Sequence, residues 1–594
     1  LPMINILNED ATLNENTPFP GMDTQTARRK TIEKLEELGL MEKIEDHPMV
    51  IPYGDRSGVV IEPLMTDQWF VDAPKLAVKA IEAVENGDME FVPKSYEKTY
   101  FEWMRNIQPW CISRQLWWGH QMPIWYGPDG EIFCEENVEE AQAAADKHYG
   151  KHVELTRETD VLDTWFSSGL WAFSTLGWPD KSDYLDTFYP TSVLVTGFDI
   201  IFFWVARMMM MSMYMMKKVP FRKCYIHGLV RDEKGQKMSK SKGNTIDPMI
   251  LVEQYGADAL RFFMAAMETQ GRDINMSEAR IAGYRNFATK LWNAARFGEM
   301  NECRLRSDFD ETKAELAVNR WIIAKAKQAT KEVTDNLNAF RFSEAANAVY
   351  QFTWGSFCDW YIEMAKVRLW KAEEDPKAAN DALWTLRTAL TEGLKLLHPY
   401  MPFITEEIYC TLLPEEESIM ISEWPVYREE RNFPDAEKAI EGFKEVVRGI
   451  RNTRTEMNVP NNRKTSLHIV AKDAETAAMY ENSKKSFVNL AFAKEILVQT
   501  DKNGISEDAV SVVVSNAVVY MPLEDLIDKD KEIERLTKET ERLTKEIARC
   551  EGMLNNPNFV NKAPAAKVDA EKDKLAKYKE MMDKVKGQLE QLKK

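Results

Sequence analysis

The lysine-rich segment Lys237-Met-Ser-Lys-Ser241 is the part of this sequence best suited to chemistry. It follows an apolar stretch, Cys224–Val230, and a polar turn, and it continues into Lys242, Gly243 and Asn244. Lysine ammonium groups in a flexible loop can follow the phosphates of a nucleoside triphosphate and stabilise the charge that develops as pyrophosphate leaves. This composition predicts a triphosphate-binding loop.

A solvated, lysine-rich surface turn is the structural alternative, and the surrounding sequence decides between the two interpretations. From Ser192 to Ile246, apolar runs and polar breaks indicate a strand, a helix and a second strand ahead of the loop. Such alternation is typical of a parallel α/β sheet, whose ligands bind beyond the carboxyl ends of the strands. The loop is therefore predicted to lie where a nucleotide would bind.

Histidine and cysteine spacing predicts no comparable metal site. His148 and His152 could share one helix face, but no third ligand is evident, and a solvated surface is the favoured interpretation. The seven cysteines are dispersed, without a CxxC pair. This dispersal indicates reduced thiols in a cytoplasmic protein, with neither disulfides nor a zinc knuckle.

Charge is unevenly distributed along the chain. The 77 Lys and Arg and 95 Asp and Glu give −18 overall, a balance that would normally argue against a nucleic-acid partner. Residues 526–594 hold 17 basic and 14 acidic side chains, or +3, which leaves 60 and 81, or −21, for the rest. An acidic body with a basic appendage can still bind RNA locally.

One stretch, Ser192 to Met216, is apolar enough to raise the question of a membrane span. Asp199 and Arg207 lie within it, and each would cost about 2.5–3.5 kcal/mol at the centre of a spanning helix. We therefore predict a buried strand followed by a core helix, and no membrane contact.

The length of 594 residues and a hydrophobic content of 44% indicate a soluble chain of several domains. Residues 1–64 have the pattern of the end of a β-rich domain, and residues 65–310 contain the α/β pattern. Residues 431–525 combine a helix with short strands and predict a small α/β domain. Residues 311–430 show helical periodicity, with apolar side chains recurring at Trp321, Ala324, Ala329, Val333, Ala345, Val349, Phe352 and Trp360.

Residues 526–594 carry two heptad patterns separated by Pro557 and Pro564. Two such helices with a short connection are predicted to fold back as an antiparallel coiled-coil hairpin, with an extended dimeric coiled coil as the alternative. The first seam comprises Ile533, Leu536, Thr540, Leu543, Ile547, Cys550 and Leu554. The second comprises Val568, Leu575, Tyr578, Met582, Val585, Leu589 and Leu592.

The segment from His227 to Pro248 resembles the second signature of the class I aminoacyl-tRNA synthetases. Arg341-Phe342 with Phe357-Cys-Asp-Trp-Tyr361 resembles the anticodon-binding bundle of that family, and the similarity runs from end to end, including the basic hairpin. Three further motifs resemble the valine-specific members: Trp110-Cys-Ile-Ser-Arg-Gln-Leu-Trp-Trp-Gly-His120, Asp163-Thr-Trp-Phe-Ser-Ser168 and Thr196-Gly-Phe-Asp-Ile-Ile-Phe-Phe-Trp204.

The resemblance implies a multidomain α/β and α fold in five parts. Residues 1–64 would be the C-terminal remnant of an editing insertion, and residues 65–310 the second half of a Rossmann-type catalytic domain with a connective insert, the signature loop and a stem. Residues 311–430 would form a helical-bundle anticodon-binding domain and residues 431–525 a small α/β domain. Residues 526–594 would form a coiled-coil tRNA-binding arm.

The resemblance also implies a reaction in which L-valine and the substrate ATP give valyl-adenylate and pyrophosphate. Valine then passes to the terminal ribose of tRNA(Val). No covalent enzyme intermediate is implied, so positioning and charge stabilisation carry the first step. Mg²⁺ is inferred from ATP chemistry, and the family architecture implies a monomer.

Individual roles follow from the same resemblance. The implied catalytic residues are Lys237, Met238, Ser239, Lys240 and Ser241, with Lys240, helped by Lys237, on the ATP phosphates and the two serines shaping the loop. The implied nucleotide-lining residues are Gly197, His227 and Gly228. Asp199 would meet the ammonium group of valine. The implied walls of a small aliphatic pocket are Trp165, Ile200 and Trp204, for which ordinary core packing is the alternative.

The sequence departs from the family pattern in three places. Class I enzymes need a first signature, His-x-Gly-His, and no two of the seven histidines are three positions apart. Editing is needed because an aliphatic pocket excludes a hydroxylated isostere poorly, a limitation for which valine enzymes are the standard example. The family's editing motif should lie just before Leu1. We therefore expect a chain truncated at its N-terminus. Some relatives bind zinc where this chain has Pro52–Gly58 without cysteine, so we predict no structural zinc.

Two alternatives stay open beside a valine–tRNA ligase. One is a class I synthetase specific for isoleucine or leucine, which valine-dependent pyrophosphate exchange would exclude. The other is a catalytically inactive tRNA-binding fragment, which the missing first signature favours. The sequence settles neither the residues that read the anticodon nor whether editing is retained.

Overall fold

The computed structural model describes residues 3–54, 57–239, 242–302, 310–370, 372–526, 529–557 and 565–593. It divides into two compact units, Leu1–His227 and Gly228–Lys594, and each has a hydrophobic core of its own.

The first unit contains seven α-helices among its described residues. They are α1 (Thr24–Glu37), α2 (Ala73–Glu85), α3 (Tyr96–Arg105), α4 (Val138–Tyr149), α5 (Thr164–Ser174), α6 (Asp183–Phe188) and α7 (Arg207–Met215). Its strands are β1 (Phe70–Val71), β2 (Glu90–Val92), β3 (Trp110–Cys111), β4 (Ser113–Arg114), β5 (Ile124–Tyr126), β6 (Ile132–Cys134), β7 (Thr156–Arg157), β8 (Val161–Leu162), β9 (Thr191–Gly197) and β10 (Phe221–His227).

A three-stranded parallel sheet, in the order β2-β10-β9, forms the centre of this unit. The parallel α/β arrangement predicted ahead of the lysine-rich segment is therefore present. Helix α7 packs against both α2 and α5. Phe91, Leu194, Phe221 and Ile226 from the three strands are buried in the same core as the methionines Met208–Met211 of α7.

The apolar stretch from Ser192 to Met216 forms a strand and then a helix, as predicted, but the strand is only half buried. Val195 is 58% exposed whereas its neighbours Leu194 and Thr196 are buried, because successive side chains of a strand point to opposite faces of the sheet and only one face of β9 is covered. A 3₁₀ turn (Phe198–Ile200) and a π-helical segment (Ile201–Ala206) lead into α7. By length and composition the window Phe198–Met215 could span a membrane, and half of it is buried inside the structure.

The prediction of a β-rich ending for residues 1–64 is wrong for the part that the structure describes. That stretch contains helix α1 and isolated bridges such as Leu7–Leu13 and Tyr53–Val60, without a named strand. Extended apolar segments form strands only when a neighbouring strand pairs with them. Here apolar side chains such as Met49 and Val50 face solvent instead.

The second unit is mostly helical. Its helices are α8 (Pro248–Tyr255), α9 (Ala257–Met267), α10 (Glu278–Met300), α11 (Ala317–Asn338), α12 (Phe342–Tyr350), α13 (Ile362–Leu369), α14 (Pro376–Leu397), α15 (Pro402–Leu412), α16 (Pro434–Glu456), α17 (Ala474–Leu490), α18 (Leu523–Leu526), α19 (Lys529–Leu554) and α20 (Ala565–Lys593). Its strands are β11 (Val230–Arg231), β12 (Ile274–Asn275), β13 (Thr465–Ala471), β14 (Ala493–Gln499), β15 (Val510–Val513) and β16 (Ala517–Met521).

The helical periodicity predicted for residues 311–430 is confirmed. All eight side chains singled out from their spacing are buried: Trp321, Ala324, Ala329, Val333, Ala345, Val349, Phe352 and Trp360. A π-helical segment, Gln351–Tyr361, joins α12 to α13 and was not predicted. After this bundle, β14-β13-β16-β15 form a sheet that packs with α16 and α17, where Phe443 and Phe487 meet at a ring-centroid distance of 4.5 Å.

The last two helices, α19 and α20, pack side by side. The predicted seam residues Leu536, Leu543, Cys550, Val568 and Met582 are buried. Glu571, which the apolar pattern passed over, is also buried in the seam, where its carboxylate accepts the Cys550 thiol at 3.1 Å. The connecting loop and its Pro564 lie outside the described residues.

A buried ion-pair cluster fastens the segment after α15 to the bundle. The guanidinium of Arg431, 6% exposed, binds Glu311 and Glu392, with an Nη1–Oε1 distance of 2.6 Å to Glu392. We expect Arg431→Ala to lower the free energy of unfolding by about 3 kcal/mol, because the largely covered carboxylates of Glu311 and Glu392 would lose the buried guanidinium that pairs with both. Denaturant unfolding followed by circular dichroism measures this loss.

Arg428 supplies a matched control for that variant. Its guanidinium lies 3.7 Å from the same Glu311 carboxylate but is 56% exposed. Arg428→Ala should therefore cost less than about 1 kcal/mol. Equal losses for the two arginine variants would contradict the assignment of the cluster to Arg431.

Candidate functional site

The carboxyl end of the parallel sheet brings two predicted nucleotide-lining residues together. Gly197 ends β9, His227 ends β10, and the two residues are direct partners in the parallel register. Thr196 and Ile226, the preceding pair, are buried, whereas His227 is half-buried. Because ligands of α/β sheets bind beyond the carboxyl ends of the strands, this pair lies where a nucleotide can bind.

The chain turns sharply after β9 and presents the next predicted residues at the same end of the sheet. Gly197 caps the 3₁₀ turn Phe198–Ile200. Asp199 on that turn is exposed and Ile200 is half-buried. An exposed carboxylate beside a half-buried aliphatic side chain can bind a small molecule that carries an ammonium group and an apolar body.

The two predicted pocket tryptophans lie on elements that contact each other. Trp204, in the π-helical segment, donates its indole N–H to the carbonyl oxygen of Ser168 on α5 at 3.2 Å. Trp165, near the start of α5, stacks on Phe203 with a centroid distance of 5.7 Å and an interplanar angle of 28°. Both tryptophans are half-buried. Their rings are thus held by neighbours on both elements.

The start of α5 is anchored by a buried carboxylate. Asp163, 7% exposed, accepts the indole N–H of Trp110 at 3.1 Å and lies 3.2 Å from the Arg114 guanidinium. Its backbone N–H donates to the carbonyl oxygen of Ile112 at 2.7 Å. The two sequence motifs at 110–120 and 163–168 are therefore joined at the base of the helix that carries Trp165.

Arg207 places a positive charge beneath the same region. Its guanidinium carbon lies 3.9 Å from the ring centroid of Trp110 and 4.7 Å from that of Phe202. Burial lowers the pKa of Arg207 to about 10, against the opposing effect of the Asp163 carboxylate. A pKa of about 10 leaves the group protonated at neutral pH, and the two aromatic faces stabilise the cation.

The second unit begins with the predicted phosphate-binding segment. Gly228 is buried, and a Cβ atom there would lie 1.7 Å from the carbonyl oxygen of Arg272, so a side chain cannot fit. Asp273 accepts the backbone N–H of Leu229 at 2.9 Å and pairs with Arg231. Strand β11 is thereby fastened to β12, and close packing accounts for the glycine independently of any nucleotide.

The lysine-rich loop follows β11. Lys237 is exposed and makes no ion pair with any residue that the structure describes, and Met238 and Ser239 are half-buried. Lys240 and Ser241 lie outside the described residues. An exposed lysine in a loop fixed at its base is suited to meet a polyanionic ligand.

The predicted site residues thus fall into two groups. The structure brings Trp165, Gly197, Asp199, Ile200, Trp204 and His227 together on adjoining elements of the first unit. Gly228 and Lys237–Ser239 belong to the second unit.

Two residues that support the site elements of the first unit were not predicted. Asp163 precedes a helix and Arg207 is a charge in an apolar run, so the sequence carried a signal for both. Within the described ranges, no group of three or more His, Cys, Asp and Glu side chains could hold a metal ion.

Three family models match the chain in succession. Residues 8–277 match the class I tRNA synthetases specific for I, L, M and V, and residues 319–470 match the anticodon-binding domain of tRNA ligases. Residues 528–593 match the valyl-tRNA synthetase tRNA-binding arm.

Curated relatives match over almost the whole chain. The valine–tRNA ligase of Brucella suis biovar 1 is 47% identical over 98% of this chain and 66% of the relative. The enzyme of Mesorhizobium japonicum is 46% identical over 98% of this chain and 67% of the relative. The enzyme of Clostridium tetani is 46% identical over 100% of this chain and 67% of the relative. The chain spans about two thirds of the length of these relatives.

Proposed function

This chain belongs to the valine–tRNA ligase family of the class I aminoacyl-tRNA synthetases, and from that premise we propose that its protein activates L-valine with ATP and transfers it to tRNA(Val). The observation that carries the proposal is the end-to-end identity of 46–47% with valine–tRNA ligases over 98% of the chain. The isoleucine or leucine alternative has no comparable support.

The first step is the attack of a valine carboxylate oxygen on the α-phosphorus of ATP. The bond from that phosphorus to the bridging oxygen breaks, and pyrophosphate leaves with the electron pair. In this proposal Lys240 and Lys237 stabilise the charge on the departing phosphates, while Ser239, Ser241 and Met238 shape the loop. Gly197, His227 and Gly228 line the nucleotide. Mg²⁺ enters with ATP, because this ion is usually held by substrate phosphates and few carboxylates.

The amino-acid pocket is assigned to the contacts between α5 and the segment after β9. Asp199 is exposed at the sheet edge and binds the ammonium group of valine, because a carboxylate is its natural partner. Trp165, Ile200 and Trp204 enclose the isopropyl group. The hydrogen bond from Trp204 to Ser168 and the stacking of Trp165 on Phe203 support this assignment, since both fix the ring positions.

The remaining parts keep the roles that the sequence resemblance implies. We assign residues 1–64 to the end of an editing insertion, 65–310 to the catalytic domain, 311–430 to anticodon binding, 431–525 to a small α/β domain and 526–594 to a coiled-coil arm on tRNA. A cytoplasmic monomer without bound zinc remains our prediction.

Valine-dependent exchange of pyrophosphate into ATP tests the proposed activity directly. The complete gene product should catalyse exchange with valine and far more slowly with isoleucine or leucine. Exchange with isoleucine alone would move the protein to a different specificity. Binding of tRNA without exchange for any amino acid would leave the hypothesis of an inactive tRNA-binding protein.

Replacing Trp204 by alanine should raise the KM for valine and weaken discrimination against isoleucine, with tRNA binding unchanged. The lost ring leaves space for a larger side chain, and one methylene in such a pocket is worth only about 1–3 kcal/mol. Exchange kinetics with both amino acids measure the effect. Trp204→Phe keeps a ring without the hydrogen bond to Ser168 and should be intermediate.

Trp370→Ala is the matched control, since Trp370 is 70% exposed at the end of α13 in the second unit and belongs to no predicted pocket. It should leave both KM values unchanged. If Trp204→Ala behaved like this control, Trp204 would be a packing residue and the pocket assignment would fail.

A further inference from the structure

The side chain of Asn244 binds three separate points of the signature-loop region. Its Oδ1 accepts the backbone N–H of Ser239 at 3.0 Å. Its Nδ2 donates to the Oδ2 of Asp232 at 2.9 Å and to the carbonyl oxygen of Lys237 at 3.3 Å. One amide group therefore links the far end of the loop to its beginning and to the turn that precedes it.

Asp232 is itself the centre of that turn. Its Oδ1 accepts the backbone N–H groups of Lys234 at 3.0 Å and Gln236 at 2.8 Å. The hydrogen bonds, foremost the one from Asn244, lower the pKa of Asp232, so the carboxylate is ionised at neutral pH. A hydrogen bond to a charged group is stronger than one between neutral groups.

The turn around Asp232 is anchored to strands β11 and β12. Its neighbour Arg231 pairs with Asp273, which also accepts the N–H of Leu229, and the Arg231 guanidinium reaches the carbonyl oxygen of Gly235 at 3.4 Å. The bonds of Asn244 thus connect the loop to a base held by β11 and β12.

We propose that Asn244 is a positioning residue, which clasps the loop to Asp232 and so fixes the path of residues 237–239. Asparagine suits this place because the amide both accepts from Ser239 and donates to the carboxylate. Aspartate would set a second carboxylate against Asp232, and an aliphatic residue would make neither bond. The effect on catalysis rests on the proposed function, whereas the clasp itself does not.

Swapping the two side chains tests the hydrogen bond between Asn244 and Asp232. Asn244→Asp should lower kcat for valine-dependent pyrophosphate exchange about tenfold or more, with an unchanged KM for valine, because a charged hydrogen bond becomes a repulsion. Asp232→Asn should also lower kcat, since two amide donors then face each other. The double variant Asp232→Asn/Asn244→Asp restores a donor–acceptor pair between the two side chains and should recover part of the lost rate, while the bond to the Lys237 carbonyl oxygen stays lost.

Glu233→Gln is the matched control, because Glu233 is exposed in the same turn and takes no part in the clasp. It changes the local charge as Asp232→Asn does and should leave kcat unchanged. Failure of the double variant to recover, or equal activity of wild type and Asn244→Asp, would overturn the clasp.

Hydrogen–deuterium exchange separates the inference from the proposed function. Asn244→Ala should speed exchange in the peptide that contains Ser239, and peptides of the helical bundle should be unaffected. Faster hydrogen–deuterium exchange in a protein without any valine-dependent activity would refute the proposed function and support the positioning role of Asn244. Unchanged exchange in an active enzyme would refute the clasp and keep the function.

Discussion

Replacing Lys240 by alanine is expected to lower the rate of valine adenylation about a hundredfold, with little change in the affinity for valine. The phosphates acquire negative charge as pyrophosphate departs, so a cation that meets them there stabilises the transition state more than bound ATP. Its loss should therefore appear mainly in kcat. Pyrophosphate exchange at varied valine and ATP concentrations separates the two parameters.

Lys242→Ala is the control for this variant. Lys242 is an exposed lysine two positions away, and its backbone N–H donates to the carbonyl oxygen of Ser239 at 3.2 Å, a bond that the substitution retains. Both variants remove one positive charge from the same loop. Equal effects would indicate only a general electrostatic field, and near-normal exchange by Lys240→Ala would refute the assignment of that lysine.

Much of the fold could be predicted because apolar periodicity reports burial directly. The eight positions chosen in residues 311–430 are buried since each helix presents one stripe to a shared core. The same logic placed a helix after β9. It failed for residues 1–64, where the formation of strands depends on a pairing partner that no local pattern specifies.

Polar residues whose partners are distant in the sequence were harder to predict. Glu571 lies in the seam of α19 and α20 because the Cys550 thiol, Arg549 and Lys574 surround its carboxylate, a long-range fit that no heptad pattern encodes. Asn244 likewise gains its role only when the loop folds back on Asp232. Motif resemblance supplied the residues that would touch substrate, and the structure supplied those that would position them.

Deleting residues 526–594 should weaken tRNA binding strongly and leave valine-dependent pyrophosphate exchange intact. The arm carries +3 against −21 for the remainder, so its lysines are the part of the chain best able to meet a phosphate backbone. Its seam residues pack on one another, and the signature loop does not belong to it. Filter binding of tRNA and exchange assays on the same truncated protein measure the two effects.

The structure divides the lysines of the arm by their partners. Four lysines between positions 572 and 579 flank the second seam, and three of them are paired within the arm: Lys572 with Asp569, Lys574 with Glu571 and Lys579 with Glu551. Lys577 makes no ion pair among the described residues, and three further lysines share this property. These three are Lys545, Lys567 and Lys586.

A lysine that no carboxylate holds in an ion pair gives a phosphate its full charge, whereas a paired lysine must first lose a partner. Changing the four unpaired lysines to glutamine should therefore weaken tRNA binding and flatten the plot of log affinity against log salt, by about 0.9 unit per lost contact if the value for duplex DNA applies. The matched control changes four lysines in exposed pairs to glutamine: Lys538, Lys572, Lys579 and Lys584. The net charge of the two quadruple variants is identical. A smaller effect in the control would assign the phosphate contacts to the four unpaired lysines, and equal slopes would show that only the total charge of the arm matters.

A truncated protein that bound tRNA with the affinity and salt slope of the whole protein would exclude the arm from RNA binding.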